Sequence, residues 1–257
     1  VKRFRASDGS DLAYSDSGSG TPAFVFVHGW QGDRSVWRGI VAALGPEIRA
    51  ITVDQRGGGD SNGAPGPYAL ERLAADLHDL VTALDVAPVV IVGHSMGGTV
   101  ALRFAVDYPE ATRGLVLIAP VPASGGGFSE RRVEYLRATA GDPVAVRQWL
   151  ARTLSAEHDA ATLDRLCAVA ALTPREAALE SFASWGFADF ADATRRIKAP
   201  ALVIAPEHDA AESVERNVAA LLPNAEYAVL PDGAHYTIVE QPRQIAELIR
   251  QGKSRFG

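Results

Sequence analysis

The chain alternates short unbroken apolar runs with longer segments whose apolar residues recur every three or four positions. Apolar runs at 23–27, 48–53, 89–92, 114–119 and 201–205, with a mixed run at 226–230, read as strands; the unbroken ones suit burial on both faces of a parallel sheet. Two further short strands, 2–6 and 12–16, flank Asp8-Gly9, a hairpin signal. Between the strands lie helical patterns. Leu70, Leu73, Leu77, Leu80, Val81 and Leu84 draw one stripe on a helix. Further helices are expected over 35–44, 98–105, 214–222 and 242–250. Strand followed by helix, repeated, implies a parallel sheet with right-handed crossovers.

The rhythm breaks once. Ser124-Gly125-Gly126-Gly127 reads as a flexible link, and no strand pattern follows until the run at 201. Helical patterns dominate, with starts at Asp142-Pro143 and Thr173-Pro174. Aromatic residues gather here. The division expected is a core of residues 1–121 and 198–257 interrupted by a helical cap of residues 122–197.

Composition narrows the partners. Of 257 residues, 47% are hydrophobic and 22% charged, which suits a globular chain with a sizeable core. Net charge is −6, with no Lys/Arg block, which argues against nucleic acid or anionic membranes as partners. The single cysteine, Cys167, excludes an internal disulfide and a multi-thiolate metal site. No apolar stretch is long enough to span a bilayer, and no signal-peptide core follows the basic N-terminal residues. A cytoplasmic protein is the expectation. Oligomeric state is not legible in the sequence.

The chemistry gathers at strand exits. The run at 89–92 leads into Gly93-His94-Ser95-Met96-Gly97, and a helix follows. Strand, Gly-x-Ser-x-Gly, helix is the context in which a serine hydroxyl is held on a sharp turn at a helix N-terminus. His28-Gly29-Trp30, Glu207-His208-Asp209 and Gly233-Ala234-His235 also lie just past strand ends. In an open parallel sheet that edge is the binding edge. A serine hydroxyl is a weak nucleophile and needs a base within hydrogen-bond reach; His235 can serve, oriented by a carboxylate. Either Glu207 or Asp209 could supply that carboxylate.

These motifs, with Asp54-x-Arg56-Gly57-x-Gly59-x-Ser61 and Pro200–Ile204, resemble the α/β-hydrolase superfamily over nearly the whole chain except the cap. The resemblance implies a mostly parallel eight-stranded α/β sheet with helices on both faces and a helical cap insertion. It implies Ser95, Asp209 and His235 as catalytic residues, with the backbone N–H groups of Trp30 and Met96 as the oxyanion hole. His28 is then structural, His94 is buried beside the serine turn, and Asp54 and Arg56 form a turn-stabilising pair. Gly58 departs from the family pattern, which usually has a larger residue there. The substrate pocket is expected to be walled by Trp30, Trp149, Phe182, Trp185 and Tyr236. No cofactor or metal is implied, since the sequence carries no zinc-protease, dinucleotide or Walker signature. The expected activity is hydrolysis of a small-molecule carboxylic ester or lactone through an acyl-enzyme. Cofactor-free haloperoxidase or perhydrolase chemistry, carbon–carbon bond hydrolysis and ligand reception on the same fold are the alternatives.

Overall fold

The structure is a computed structural model describing residues 1–209 and 212–257. Eight strands form one sheet in the order β1-β2-β4-β3-β5-β6-β7-β8. They are β1 (Lys2–Arg5), β2 (Asp11–Ser17), β3 (Phe24–Val27), β4 (Ala50–Val53), β5 (Val89–His94), β6 (Thr112–Ile118), β7 (Ala201–Pro206) and β8 (Ala225–Leu230). The hairpin β1–β2 and the β2–β4 pairing are antiparallel; every other pairing is parallel. Strands β3, β4 and β5 are wholly buried, as their unbroken apolar runs require.

The crossovers are helices. Helix α1 (Arg38–Leu44) joins β3 to β4, and α2 (Leu70–Ala83) joins β4 to β5. The first connection steps one way along the sheet and the second steps back, so right-handed crossovers put α1 and α2 on opposite faces. The α2 stripe is buried as its spacing predicts, at Leu70, Leu73, Leu77, Leu80 and Val81. The segment expected as one helix over 35–44 begins as a 3₁₀ turn, Arg34–Trp37, capped by the Asp33 side chain. Helix α3 (Met96–Asp107) follows β5 and packs on α2.

Between β6 and β7 lie α4 (Glu130–Thr139), α5 (Pro143–Thr153), α6 (Ala160–Ala170), α7 (Arg175–Gly186) and the short α8 (Ala191–Thr194). Asp142 and Asp159 cap α5 and α6 by accepting from backbone N–H groups of their first turns. The glycine run expected as a flexible link is instead tied down. Gly125 N–H donates to Pro122 and Gly126 N–H to Gly186, each at 3.0 Å. After β7 come α9 (Glu212–Leu221) and, following β8, α10 (Thr237–Glu240) and α11 (Pro242–Gly252). Helix α11 packs against α1. Among the described residues, no helix is long and apolar enough to cross a membrane.

Register decides where the polar residues emerge. Val27 aligns with both Val53 and Gly93, and His94 aligns with Ile118. The strands therefore end at one edge, and the residues after them are neighbours.

Two ion-pair clusters support that edge, and they correct the expected Asp54–Arg56 pair. Asp54, 1% exposed, accepts from the Arg34 guanidinium and from the backbone N–H groups of Arg34 and Asp60. Arg56 instead makes a bidentate pair with Asp76, at 2.9 and 2.8 Å, and reaches Asp8 at 2.8 Å. The Arg56 side chain is fully buried, so an unmatched guanidinium there would carry the full cost of lost hydration. Replacing Asp76 with alanine is expected to destabilise the fold by about 3–5 kcal/mol, seen as a lower urea midpoint at unchanged slope. A loss below about 1 kcal/mol would mean that Asp8 alone suffices as partner.

Candidate active site

Ser95 joins β5 to α3 with φ 53° and ψ −122°, a strained conformation for a residue with a side chain. The neighbouring glycines permit it. A Cβ on Gly93 would stand 2.3 Å from the Gly97 carbonyl oxygen, and one on Gly97 would stand 2.2 Å from that of Val27. Only bare backbone can approach backbone so closely.

Three side chains meet above this turn. Ser95 Oγ is 3.1 Å from His235 Nε2, and His235 Nδ1 is 2.6 Å from Asp209 Oδ2. A carboxylate can only accept, so Nδ1 carries the proton and Nε2 turns its lone pair to the serine. Glu207 lies elsewhere: it is exposed and accepts from the Asp232 backbone N–H at 3.1 Å. An imidazole so placed can take a proton from the hydroxyl and later release it, while the carboxylate fixes the tautomer and stabilises the imidazolium.

The two expected oxyanion donors are buried beside the serine, with Trp30 at 3% exposure and Met96 at 4%. Met96 opens α3, so its N–H has no acceptor within the helix. Among the described residues, neither the Met96 nor the Trp30 N–H donates to any acceptor. Two preorganised N–H groups free of partners can receive a developing negative charge.

His28 and His94 brace this arrangement from below. His28 Nε2 accepts from Gln55 N–H at 3.0 Å, so its Nδ1 is the donor to the Gly29 carbonyl at 2.8 Å. The Gln55 amide closes the loop onto the His28 carbonyl at 2.7 Å. A Cβ at Gly58 would stand 3.1 Å from His28 Cε1 and 2.9 Å from the Gly32 carbonyl oxygen. The small residue there matches the tight seat of the His28 ring. His94 Nε2 donates to the backbone carbonyl of His235 at 2.8 Å. That bond ties the serine turn to the histidine loop and was not legible in the sequence, where residues 94 and 235 are unconnected.

A cavity of about 750 Å³ opens over Ser95 between the sheet edge and the inserted helices. Trp30, Trp149 and Trp185 line it, with Phe128, Leu136 and Leu154. Two expected pocket residues do not. Phe182 has no exposed surface and stands behind the wall, its ring 5.5 Å from Trp30 and 5.0 Å from Trp185. Tyr236, 5% exposed, packs on His94 at 5.3 Å and on His235 at 5.8 Å. Both are aromatic residues of the right region that the core claimed first. Sequence reasoning also missed Arg132, Arg152, Thr153, Ser155 and His208 among the lining residues. Helical spacing marks one face of α4 and α5 but not which end of that face overlooks the sheet. Among the described residues, one group has metal-ligand spacing, the exposed Glu207, His208 and Asp232.

The sequence profile of the α/β hydrolase family matches residues 24–248. The chain belongs to the α/β hydrolase family. This α/β hydrolase is 30% identical to a putative non-heme chloroperoxidase of Synechocystis over 88% of either chain. It superposes on a thermophilic esterase of Thermogutta terrifontis with a TM-score of 0.86 and 26% identity, covering 100% of this chain and 99% of that one. The enol-lactonase of Burkholderia xenovorans gives a TM-score of 0.89 at 25% identity, covering 98% and 100%. An uncharacterized protein of Mycobacterium tuberculosis is 35% identical over 128 residues; that stretch is 50% of this hydrolase and 36% of the longer relative.

His94 carries a pH prediction. Burial, aided by the neighbouring His235 ring, holds its imidazole down at about 3. Burial lowers His28 in the same direction. In the unfolded chain a histidine titrates at about 6.5, so between the two values the unfolded state holds the extra proton. Stability therefore rises with pH across that window and is lost as pH falls from about 6.5 toward 3. His94→Gln keeps an N–H donor for the His235 carbonyl but does not titrate. Its urea midpoint should decline less than the wild type's between pH 7 and pH 4. An unchanged decline would mean that His94 does not govern the acid sensitivity.

Proposed function

We propose that this hydrolase cleaves a carboxylic ester or lactone through an acyl-enzyme, with Ser95, His235 and Asp209 as its catalytic triad. One observation carries the reading: the unbroken series from Ser95 Oγ through the imidazole to Asp209, at 3.1 and 2.6 Å, at the floor of a tryptophan-lined cavity. Ser95 Oγ attacks the carbonyl carbon as His235 Nε2 takes its proton. The carbonyl oxygen becomes an oxyanion and accepts from the N–H groups of Trp30 and Met96. Collapse expels the alkoxide, which receives the proton from His235. Water then repeats the sequence on the acyl-enzyme and releases the acid. With a lactone the expelled alkoxide stays tethered to the acyl chain, and the product is a hydroxy acid.

In this reading helices α4 to α7 form a cap, residues 122–197, over a core of residues 1–121 and 198–257. The cap supplies most of the apolar wall and so selects the substrate, while the core performs the bond cleavage. The names of the relatives agree on small molecules: an esterase and an enol-lactonase among the structures.

The similarity to a putative chloroperoxidase supports a second reading on the same residues. There hydrogen peroxide, in place of water, takes the acyl group from Ser95. A carboxylic acid substrate would then leave as a peracid, with water lost in the first half-reaction.

The test is labelling by a fluorophosphonate and turnover of p-nitrophenyl esters by wild type and Ser95→Ala. The wild type should be labelled at Ser95. The variant should stay folded, escape labelling and lose turnover by at least about a thousandfold. Ester turnover retained by the variant would sink the serine mechanism. Peracid formed from acetate and peroxide, without ester turnover, would favour the second reading.

A further inference from the structure

We infer that the substrate carries a second, anionic group, a carboxylate on its acyl or lactone chain, and that Arg132 and Arg152 receive it. The inference takes the ester or lactone reaction from the reading above and adds the substrate's charge.

Both arginines line the cavity over Ser95. Arg132 lies in the first turn of α4 and Arg152 in the last turn of α5. Their guanidinium carbons lie 5.3 and 5.4 Å from the centroid of one ring, that of Tyr135. The ring attracts each cation and holds both guanidinium groups at one region of the wall. A guanidinium seated on an aromatic face keeps its N–H edge for a ligand.

Neither cation has an ion-pair partner among the described residues. Arg34, Arg56 and Arg72 are each matched to aspartates. Among the described residues, the only carboxylate lining the cavity is Asp209, which is engaged by His235. Two positive charges therefore face one cavity in a chain whose net charge is −6. Long-range attraction does not bring an anion to such a protein, so the preference must come from contact at the cavity. Both arginines are exposed at the cavity mouth, so a ligand anion there exchanges hydrating water for the guanidinium N–H groups. A carboxylate matches the planar donor fork of arginine, often with two hydrogen bonds to one guanidinium. A substrate that was neutral throughout would leave both cations to water and the Tyr135 ring.

Binding and turnover test this separately. In Ser95→Ala protein, tryptophan fluorescence reads occupancy, because Trp30, Trp149 and Trp185 line the cavity. It is titrated with succinate, glutarate and adipate and with the corresponding neutral diamides. At least one diacid should bind about tenfold or more tighter than its diamide, and the margin should shrink in 0.5 M NaCl. R132Q/R152Q should abolish the margin, and R132K/R152K should keep part of it because the charge remains. In the wild type, kcat/KM for the mono-p-nitrophenyl ester of that diacid should exceed that for the neutral ester of equal length. R132Q/R152Q should bring the ratio of the two toward one. Equal binding of every diacid and its diamide, or a margin that survives R132Q/R152Q, overturns the inference. A diacid margin without turnover of either ester overturns the ester reading and leaves the anion site standing. Equal turnover of both esters with equal binding does the reverse.

Discussion

The backbone of Ser95 is held in a conformation that a residue with a side chain avoids, at φ 53°. The rest of the structure is arranged so that this conformation persists. The turn requires bare backbone at Gly93 and Gly97, where added methyl groups would stand within 2.3 Å of carbonyl oxygens. It also requires β5 to lie between β3 and β6, buried on both faces, so that the turn cannot relax into solvent. Strain of this kind costs of the order of 1–3 kcal/mol and survives only where packing over-determines it. What it achieves is a hydroxyl lifted clear of the sheet, with a helix N-terminus behind it.

Around that turn, polar groups gather in networks that run from the buried core to the surface. His28, Gln55 and Gly29 bond one another, with Gln55 Oε1 the one atom left over; Arg34, Asp54 and Asp60 form a second group; Arg56, Asp76 and Asp8 form a third. Each lies just past a strand end, where backbone leaves the sheet and its polar groups lose their ladder partners. The networks replace the ladder. His94 ties the serine turn to the histidine loop, since its ring bonds the His235 carbonyl across the sheet edge. Burial keeps that ring neutral, so the tie does not add a charge beside the His235 imidazole.

The cavity has two chemical regions. Near the serine the walls are aromatic, with the Trp30 ring packed against Trp149 and Trp185 at 5.4 and 5.6 Å. On the inserted helices the walls carry two exposed guanidinium groups that, among the described residues, make no ion pair. A substrate with an apolar stem, a scissile carbonyl and an anionic end would satisfy both.

The sequence by itself determined the strand–helix alternation, the serine turn and the exits at which histidine and acid emerge. Those features are local. An apolar run of five residues buried on both faces, or a glycine pair flanking a serine, leaves little choice of conformation. Tertiary structure decided what local pattern cannot carry. Asp209 rather than Glu207 meets His235, because the two carboxylates lie two residues apart on one turn and only its path in space separates them. Arg56 finds Asp76, twenty residues on, rather than Asp54 two residues before. Phe182 and Tyr236 disappear into the core although their neighbours face the cavity. In each case the choice lies between similar side chains a few residues apart, and what separates them is which one the packing turns toward the site.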